Sequence, residues 1–334
     1  MRIAQVNDIA SVASEITAGL RERGHEVDFL QPPLRGGGLD DRWKPFIAPL
    51  RAVEIAALAA RLRRGRYDLA QIHYAYLGVL GRLAQVPYIL HVHGDDVRSI
   101  GPLRKAITKP ALSGAAHVFY ATPELGRPVH RYRSDAEFLP NPVDTTLFSP
   151  APDPVGGDDV YIACWIEENK GAAHLLEACR VLLAERPEVR ITALARGPYI
   201  ADFAQLPNVL LVEPQPRHKL PALIARHKVV VGQVRHGAVG MAEIEAMACG
   251  RPLVARFRYG GAYPEPPPIV NAGDGRAIAA AVLRLLDAPA ERLALGEETR
   301  RWVERHHARE VVVARVEAVA EAIVAGVDPS RVTA

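Results

Sequence analysis

Residues 240 to 254 read GMAEIEAMACGRPLV, and their types and spacing suit the binding of a diphosphate. A loop rich in glycine and small residues runs there into a helix carrying Glu245. The first turn of a helix leaves four backbone N–H groups unpaired, and with the helix dipole they favour an anion. Gly237 and Gly240 let a ligand approach the backbone closely. Glu245, five residues past Gly240, can turn its carboxylate toward ribose hydroxyls, which need an acceptor. An ordinary amphipathic helix, ended by Gly250 and followed by a buried strand, fits the same spacing.

The elements that must hold this stretch follow from periodicity. Short apolar runs at 2–6, 26–30, 68–72, 88–92 and 116–120 alternate with helical patterns, as in a parallel sheet wrapped by helices. The first half therefore reads as a Rossmann-like domain. Ser11 is expected to cap a helix running to Arg23, and Gly24 to end it. The loop RGGGLDD at 35–41 follows no strand-to-helix turn and reads as a mobile loop, not a phosphate fingerprint. A proline-rich, aperiodic stretch from Pro140 to Gly157 reads as an interdomain linker. Runs at 159–164, 189–194, 208–212, 228–231 and 252–255 then start a second doubly wound domain. The expected division is 1–150 and 151–334, with the terminal helices in the second domain. Two such domains are expected to face each other across a cleft, with ligands outside the carboxyl ends of the strands.

Composition bounds the rest. A chain of 334 residues with 49% hydrophobic and 24% charged residues is globular and long enough for two domains. A net charge of +3, with no basic run interleaved with aromatics, argues against nucleic acid as a partner. The first 150 residues are the more basic part, most densely at Arg61, Arg63, Arg64 and Arg66. That cluster suits anionic lipid, and equally the cationic last turn of an exposed helix. Cys164, Cys179 and Cys249 show no paired spacing, which reads as a cytoplasmic chain without disulfides or a metal site. The N-terminal pattern is neither a signal peptide nor a membrane span.

Five segments stand in an order that resembles the GT-B nucleotide-sugar glycosyltransferases, specifically their retaining family four. They are RERGHEV at 21–27, HVHGDD at 91–96, LPNPVDTTLFSP at 139–150, NKG at 169–171 and EAMACGRPLVA at 245–255. The resemblance implies an α/β GT-B fold with an amino-terminal acceptor domain and a carboxyl-terminal donor domain. It implies transfer of a sugar from a UDP or GDP type donor to a glycan, lipid-linked or small-molecule acceptor. Anomeric configuration would be retained, and no cofactor would be needed beyond the nucleotide-sugar co-substrate. No carboxylate pair has ligand spacing for magnesium, so Lys170 is the candidate that stabilises the departing phosphate, with the backbone N–H groups near Gly240 and Met241. A solvated lysine at a helix start is the plain alternative. Glu245 matches the ribose-binding carboxylate and His93 the histidine that reaches the donor sugar. His91 and His93 share one strand face, His91 lying deeper. Asp95 and Asp96 are candidates for acceptor hydroxyls, for holding His93, or for capping the next helix. Asp8, Ser11, His73 and Tyr74, at strand ends of the first domain, are the remaining acceptor-side candidates.

Three departures from the family pattern stand out. The family's Gly-Arg-Leu before the lysine is here Cys164, Trp165 and Ile166, so its diphosphate arginine is missing. Arg235, His236 or Arg196 are candidates to replace that charge, and Trp165 either stacks on the donor or packs in the core. The first of the family's paired glutamates is here Gly237. NDIASVAS at 7–14 replaces a glycine pair, which brings Asp8 or Ser11 forward as acceptor contacts. These losses motivate a second reading, a GT-B scaffold that binds nucleotide or a partner without catalysis. A nucleotide-sugar epimerase would need several acid/base carboxylates around the sugar, and only Asp95 and Asp96 are candidates.

Overall fold

The computed structural model of this chain describes residues 1–33, 44–94, 96–98, 101–156 and 159–332. The glycine loop at 35–41 and Asp95 lie outside the described residues. Contacts divide the chain into two compact units, Met1–Pro142 with Arg309–Ala334, and Val143–Ala308.

The first unit runs β1 Arg2–Val6, α1 Val12–Glu22, β2 Glu26–Leu30, α2 Lys44–Arg64, β3 Leu69–His73, α3 Val79–Ala84, β4 Tyr88–Val92, α4 Pro102–Gly114, β5 His117–Tyr120, α5 Gly126–His130 and β6 Glu137–Phe138. The second runs β7 Asp159–Ile162, α6 Ala172–Glu185, β8 Arg190–Leu194, α7 Ile200–Phe203, β9 Val209–Val212, α8 Leu220–Ile224, β10 Val229–Val231, α9 Met241–Ala248, β11 Leu253–Ala255, β12 Val270–Asn271, α10 Gly275–Asp287 and α11 Pro289–His306. The last helix, α12 Arg309–Val324, returns to the first unit.

Each unit holds one six-stranded parallel sheet, ordered β2-β1-β3-β4-β5-β6 and β12-β11-β10-β7-β8-β9. Each order reverses once, between β1 and β3 in the first sheet and between β7 and β10 in the second. Such reversal points open a crevice at the carboxyl ends of the strands. The inner strands β3, β4, β10 and β11 are buried on both faces, which is why they read as near-continuous apolar runs. On β1, Ala4 and Val6 join a core with Ile72, Leu90, Val92, Val118 and the α2 residues Leu58 and Leu62. The second core packs Val160, Ile162 and Ile191 against the apolar faces of α6 and α10.

Two expectations are corrected here. The terminal helix does not stay with the second unit. α12 buries Val312, Val313, Val316, Val319 and Ala320 in the first unit, packing on α1. A Cβ on Gly19 would stand 2.6 Å from Val313 Cγ2, so glycine is what allows the two helices to meet. Arg309 binds Glu15 at 2.7 Å and Glu22 at 3.0 Å, and Arg315 grips Glu137 at 2.6 Å. Burial pushes the Glu137 carboxyl up, but hydrogen bonds from His117 and Arg315 outweigh it and bring the group down to about 2. The linker stretch is irregular as expected, yet much of it is anchored in the second unit. Phe148 is fully buried, and Arg300 donates to the carbonyls of Thr145, Phe148 and Ala248.

Candidate functional site

In the second unit the reversal point is framed by two loops, one from β7 to α6 and one from β10 to α9. The Val234 N–H donates to the Lys170 carbonyl at 3.0 Å, and the Ala163 N–H to the Val231 carbonyl at 2.9 Å. Gly171 has φ +93°, and a Cβ on it would stand 2.6 Å from Val234 Cγ2. A single glycine thus seats the lysine loop against the loop that leads into α9. Lys170 is half-buried, and among the described residues its ammonium makes no salt bridge. It shares its surroundings with Cys164 and Glu243. Burial, then Glu243, pushes the Cys164 thiol up, while Lys170 pulls it down.

Two buried side chains hold the α9 loop in shape. Glu243 Oε1 accepts the Gln233 N–H at 2.9 Å and Oε2 accepts the Gly240 N–H at 3.1 Å. The Gln233 side chain accepts the His236 N–H at 2.9 Å and donates to the Ala238 carbonyl. The Gly240 N–H, a candidate anion donor from the sequence, is therefore taken by Glu243. Ile244 makes the first intrahelical bond, to Gly240 at 3.0 Å, so the N–H groups of Met241 to Glu243 find no carbonyl within the helix. Met241 and Ala242 are half-buried at this end. Gly237 stands at φ +74° with its would-be Cβ 3.0 Å from Arg258 Cγ, a backbone state that disfavours any side chain.

Glu245 lies on the same helix and is buried. Its Oε1 accepts Arg217 Nε at 2.7 Å, and the Arg217 guanidinium stands 5.0 Å from the centre of the Phe148 ring. Trp165 is 43% exposed, not packed in the core, and Arg196 lies 3.6 Å over its ring. The stack follows from backbone pairing of the two strand ends, Ile166 N–H to Arg196 carbonyl at 2.9 Å. A Cβ on Gly197 would come within 2.1 Å of the Ile166 carbonyl oxygen, so only glycine lets these loops meet. Arg235 is exposed and pairs with Glu168 at 3.1 Å, both side chains 58% exposed. Exposed pairs of that kind contribute roughly 0–1 kcal/mol, so the pair leaves Arg235 free to exchange partners.

Much of the backbone strain described in the first unit falls at its own reversal point. Asn7, Ala10, Ser11 and Tyr74 have φ of 69°, 50°, 66° and 92°, a conformation costly for residues other than glycine and concentrated at functional sites. Asn7 bridges β1 to β3 by donating to the His73 carbonyl at 3.2 Å. The cap assigned to Ser11 belongs instead to Asp8. Ser11, in a left-handed conformation, makes no side-chain cap bond, whereas Asp8 accepts the Ala13 N–H at 3.0 Å and the Ser14 hydroxyl at 2.5 Å. Asp96 is fully buried as a clamp, not displayed to a ligand. It accepts the N–H groups of Ala75 and Gly94 at 2.7 Å each and of His93 at 3.2 Å, tying the ends of β3 and β4. Burial raises its carboxyl against the pull of these bonds.

His73 is likewise enclosed, against its expected place on the acceptor surface. Its Nδ1 meets His93 Nε2 at 2.9 Å and its Nε2 meets Gln5 Oε1 at 3.1 Å. His91 packs fully buried, and neither of its ring nitrogens has a hydrogen-bond partner among the described residues. An unpaired buried polar group costs about 1–3 kcal/mol. His93 is the one of the three with an exposed edge. Burial pushes His73 and His91 well below the usual imidazole range and brings His93 to about 3. Tyr74 is half-buried beside His93, 6.4 Å between ring centres.

The sequence reading missed Arg217, Gln233, Glu243 and the grouping of the three histidines. A signal existed for the last. RIAQV and LAQIH each carry a glutamine inside a buried strand, where an unpaired amide is costly.

Fold and site define a two-unit α/β protein with an anion-compatible helix start at the reversal point of its second sheet. Residues 9–142 match the family described as Glycosyl transferase 4-like domain, and residues 159–288 that described as Glycosyl transferases group 1. The chain belongs to the GT-B glycosyltransferases of this group. The D-inositol 3-phosphate glycosyltransferase of Arthrobacter sp. (strain FB24) is 28% identical over 258 residues, 65% of this chain and 60% of that protein. The MMP alpha-(1->4)-mannosyltransferase of Mycolicibacterium hassiacum is 30% identical over 203 residues, 57% of this chain and 49% of that one. The chain thus spans about half to three fifths of the length of these curated relatives. Among solved structures, sucrose-phosphate synthase from Thermosynechococcus elongatus matches with a TM-score of 0.78 at 19% identity, covering 98% of this chain and 100% of that one. HepE of Anabaena, in complex with UDP and glucose, matches at 0.73 and 14% identity, covering 95% and 98%. Among the described residues no helix is long and apolar enough to cross a membrane.

Proposed function

We propose that the protein transfers a sugar from a nucleoside-diphosphate sugar to an acceptor hydroxyl, with retention of anomeric configuration and without a metal at the diphosphate. The observation that supports this reading is the backbone pairing of Val234 with Lys170, which joins the lysine loop to the loop into α9, with no salt bridge to Lys170 among the described residues. In the reaction the bond from the anomeric carbon to the leaving phosphate breaks and one to the acceptor oxygen forms on the same face. The phosphate takes the acceptor proton. Charge growing on the diphosphate is met by Lys170 and the N–H groups of Met241 and Ala242, contacts that strengthen as the negative charge develops. Arg196 and Arg235 are the further cations, standing in for the family's missing arginine. The carboxylates of α9 are already committed, Glu243 to backbone N–H groups and Glu245 to Arg217. Glu245, fixed by Arg217, receives the ribose hydroxyls. His93 contacts the donor sugar, and Asp8, Ser11 and Tyr74 face the acceptor. HepE, similar in fold, binds UDP and glucose, which supports a uridine donor as the first to test.

A thermal-shift series with uridine, guanosine, adenosine and thymidine diphosphates tests the donor site. Ligand at a hundred times its dissociation constant adds about 2.7 kcal/mol. A scaffold without catalysis would bind nucleotide yet neither transfer nor hydrolyse the matching sugar donor, so turnover by the purified chain eliminates it. The exposed Arg61, Arg63, Arg64 and Arg66 at the end of α2 are proposed to rest on anionic lipid. Failure to sediment with phosphatidylglycerol vesicles at low salt would remove that contact.

A further inference from the structure

We propose that His73, His91 and His93 form a binding site for one divalent transition-metal ion of the zinc class. The register of the first sheet builds it. His73 on β3 pairs across from His91 on β4, and alternation sets His93 on the same face as His91. The ring centres lie 4.5 to 5.1 Å apart, and one nitrogen from each ring falls within 4.8 Å of the others. Zinc held at 2.0–2.1 Å by tetrahedral ligands needs neighbouring nitrogens about 3.3 Å apart, so loading requires the three rings to draw closer together.

The hydrogen bonds around His73 agree. A neutral imidazole carries one N–H and one lone-pair nitrogen. Gln5 donates to Gln71 Oε1 at 2.8 Å, which leaves its own oxygen to accept from His73 Nε2 at 3.1 Å. His73 Nδ1 is then the lone-pair nitrogen and points into the cluster. A ligating histidine is usually fixed in this way, by a carbonyl oxygen on its other nitrogen. His91 supplies the independent observation, a fully buried ring with both nitrogens unpartnered among the described residues. An ion takes one of them. Loading also replaces the His73–His93 hydrogen bond and moves the His93 proton to Nδ1. Imidazole ligands select zinc, copper, nickel or iron over magnesium and calcium, and the half-exposed His93 leaves the fourth position to water. The site lies wholly in the first unit; it shares His93 with the donor-sugar contact proposed above, and metal binding without substrates tests it apart from that reading.

The full chain, free of any polyhistidine tag and stripped with a chelator, is titrated with Co²⁺ and Zn²⁺ without substrates. One equivalent should bind, with the intense visible bands of tetrahedral cobalt. His91→Ala and His73→Ala should lose those bands, and Gln5→Leu should weaken zinc binding about 10–100-fold. Should these variants fail to fold, X-ray absorption of the zinc-loaded natural chain decides, by an imidazole nitrogen shell at about 2.0 Å. The proposal is overturned by absence of a stoichiometric ion, by octahedral cobalt spectra, or by zinc affinity unchanged in folded His91→Ala. Any of these would leave His91 to ordered water.

Discussion

Arg217 reaches from the turn after β9 to place its Nε 2.7 Å from Glu245 Oε1, so that the carboxylate of α9 is buried already paired with a cation. The arginine side chain is 23% exposed and the glutamate 7%, and removal of the arginine leaves a buried charge without its main partner. Arg217→Met should therefore destabilise the second unit by about 3 kcal/mol, the lower end for a broken buried pair. Urea unfolding followed by fluorescence reads this as a lower midpoint. The double variant Arg217→Met/Glu245→Gln should recover part of the loss, and failure to recover any would show that the pairing is not what the arginine supplies.

Lys170 gives the opposite pattern. It is half-buried and without a salt bridge among the described residues, so Lys170→Ala should change stability by no more than about 0.5 kcal/mol. If it meets the leaving diphosphate, turnover with the matching donor should fall about 100–1000-fold. Steady-state rates beside thermal melts separate the two effects. An unchanged rate would remove Lys170 from the leaving-group role.

The outline of the fold was legible because buried parallel strands write themselves as apolar runs, and all ten expected strands exist. The two-residue strands β6 and β12 were too short to leave a pattern. The return of α12 to the first unit was not legible either, since it rests on pairs such as Arg309–Glu15, nearly 300 positions apart, between residues that read as surface charges. For the candidate site, spacing placed a glycine-rich loop ahead of a helix that carries Glu245, and α9 has that form. Spacing missed that Glu243 takes the Gly240 N–H, because a glutamate at this point of a helix reads equally as a solvated one. The cap of α1 passed from Ser11 to Asp8 for a similar reason. Local composition locates a cap within a few residues, but backbone strain at Ala10 and Ser11 decides which side chain performs it.

The neutral histidine cluster makes stability depend on pH, and the sign follows from its depressed titration. His73 and His91 lie well below the ordinary 6.5, and His93 at about 3. Between these values and 6.5 the unfolded chain binds more protons than the folded one, so stability rises with pH and is lost as pH falls below about 6.5. Each imidazole contributes about 1.4 kcal/mol per pH unit in that window. Glu137, at about 2, acts in the same direction below its ordinary 4.5. Denaturant midpoints from pH 7 to 5 for the natural chain and for His91→Leu, in chelator, isolate the histidine share. The variant should show a slope smaller by about 1.4 kcal/mol per unit; identical slopes would mean that His91 is not held neutral.

By the sequence resemblance Gly237 stands where the family carries the first of two glutamates, and introducing that residue tests whether the loop has merely lost a side chain or has changed shape. At φ +74° and with Arg258 Cγ 3.0 Å from its would-be Cβ, the site lies in the left-handed region, and the Arg258 N–H holds the Gly237 carbonyl at 2.9 Å. Gly237→Glu should then cost about 1–2 kcal/mol in backbone strain, lowering the melting temperature without raising sugar transfer. Gly237→Ala separates strain from charge, since it should lose about as much stability as the glutamate. A glutamate variant that melted at the natural temperature and transferred sugar faster would show instead that the loop still accepts the family's contact, and that only the side chain had been lost.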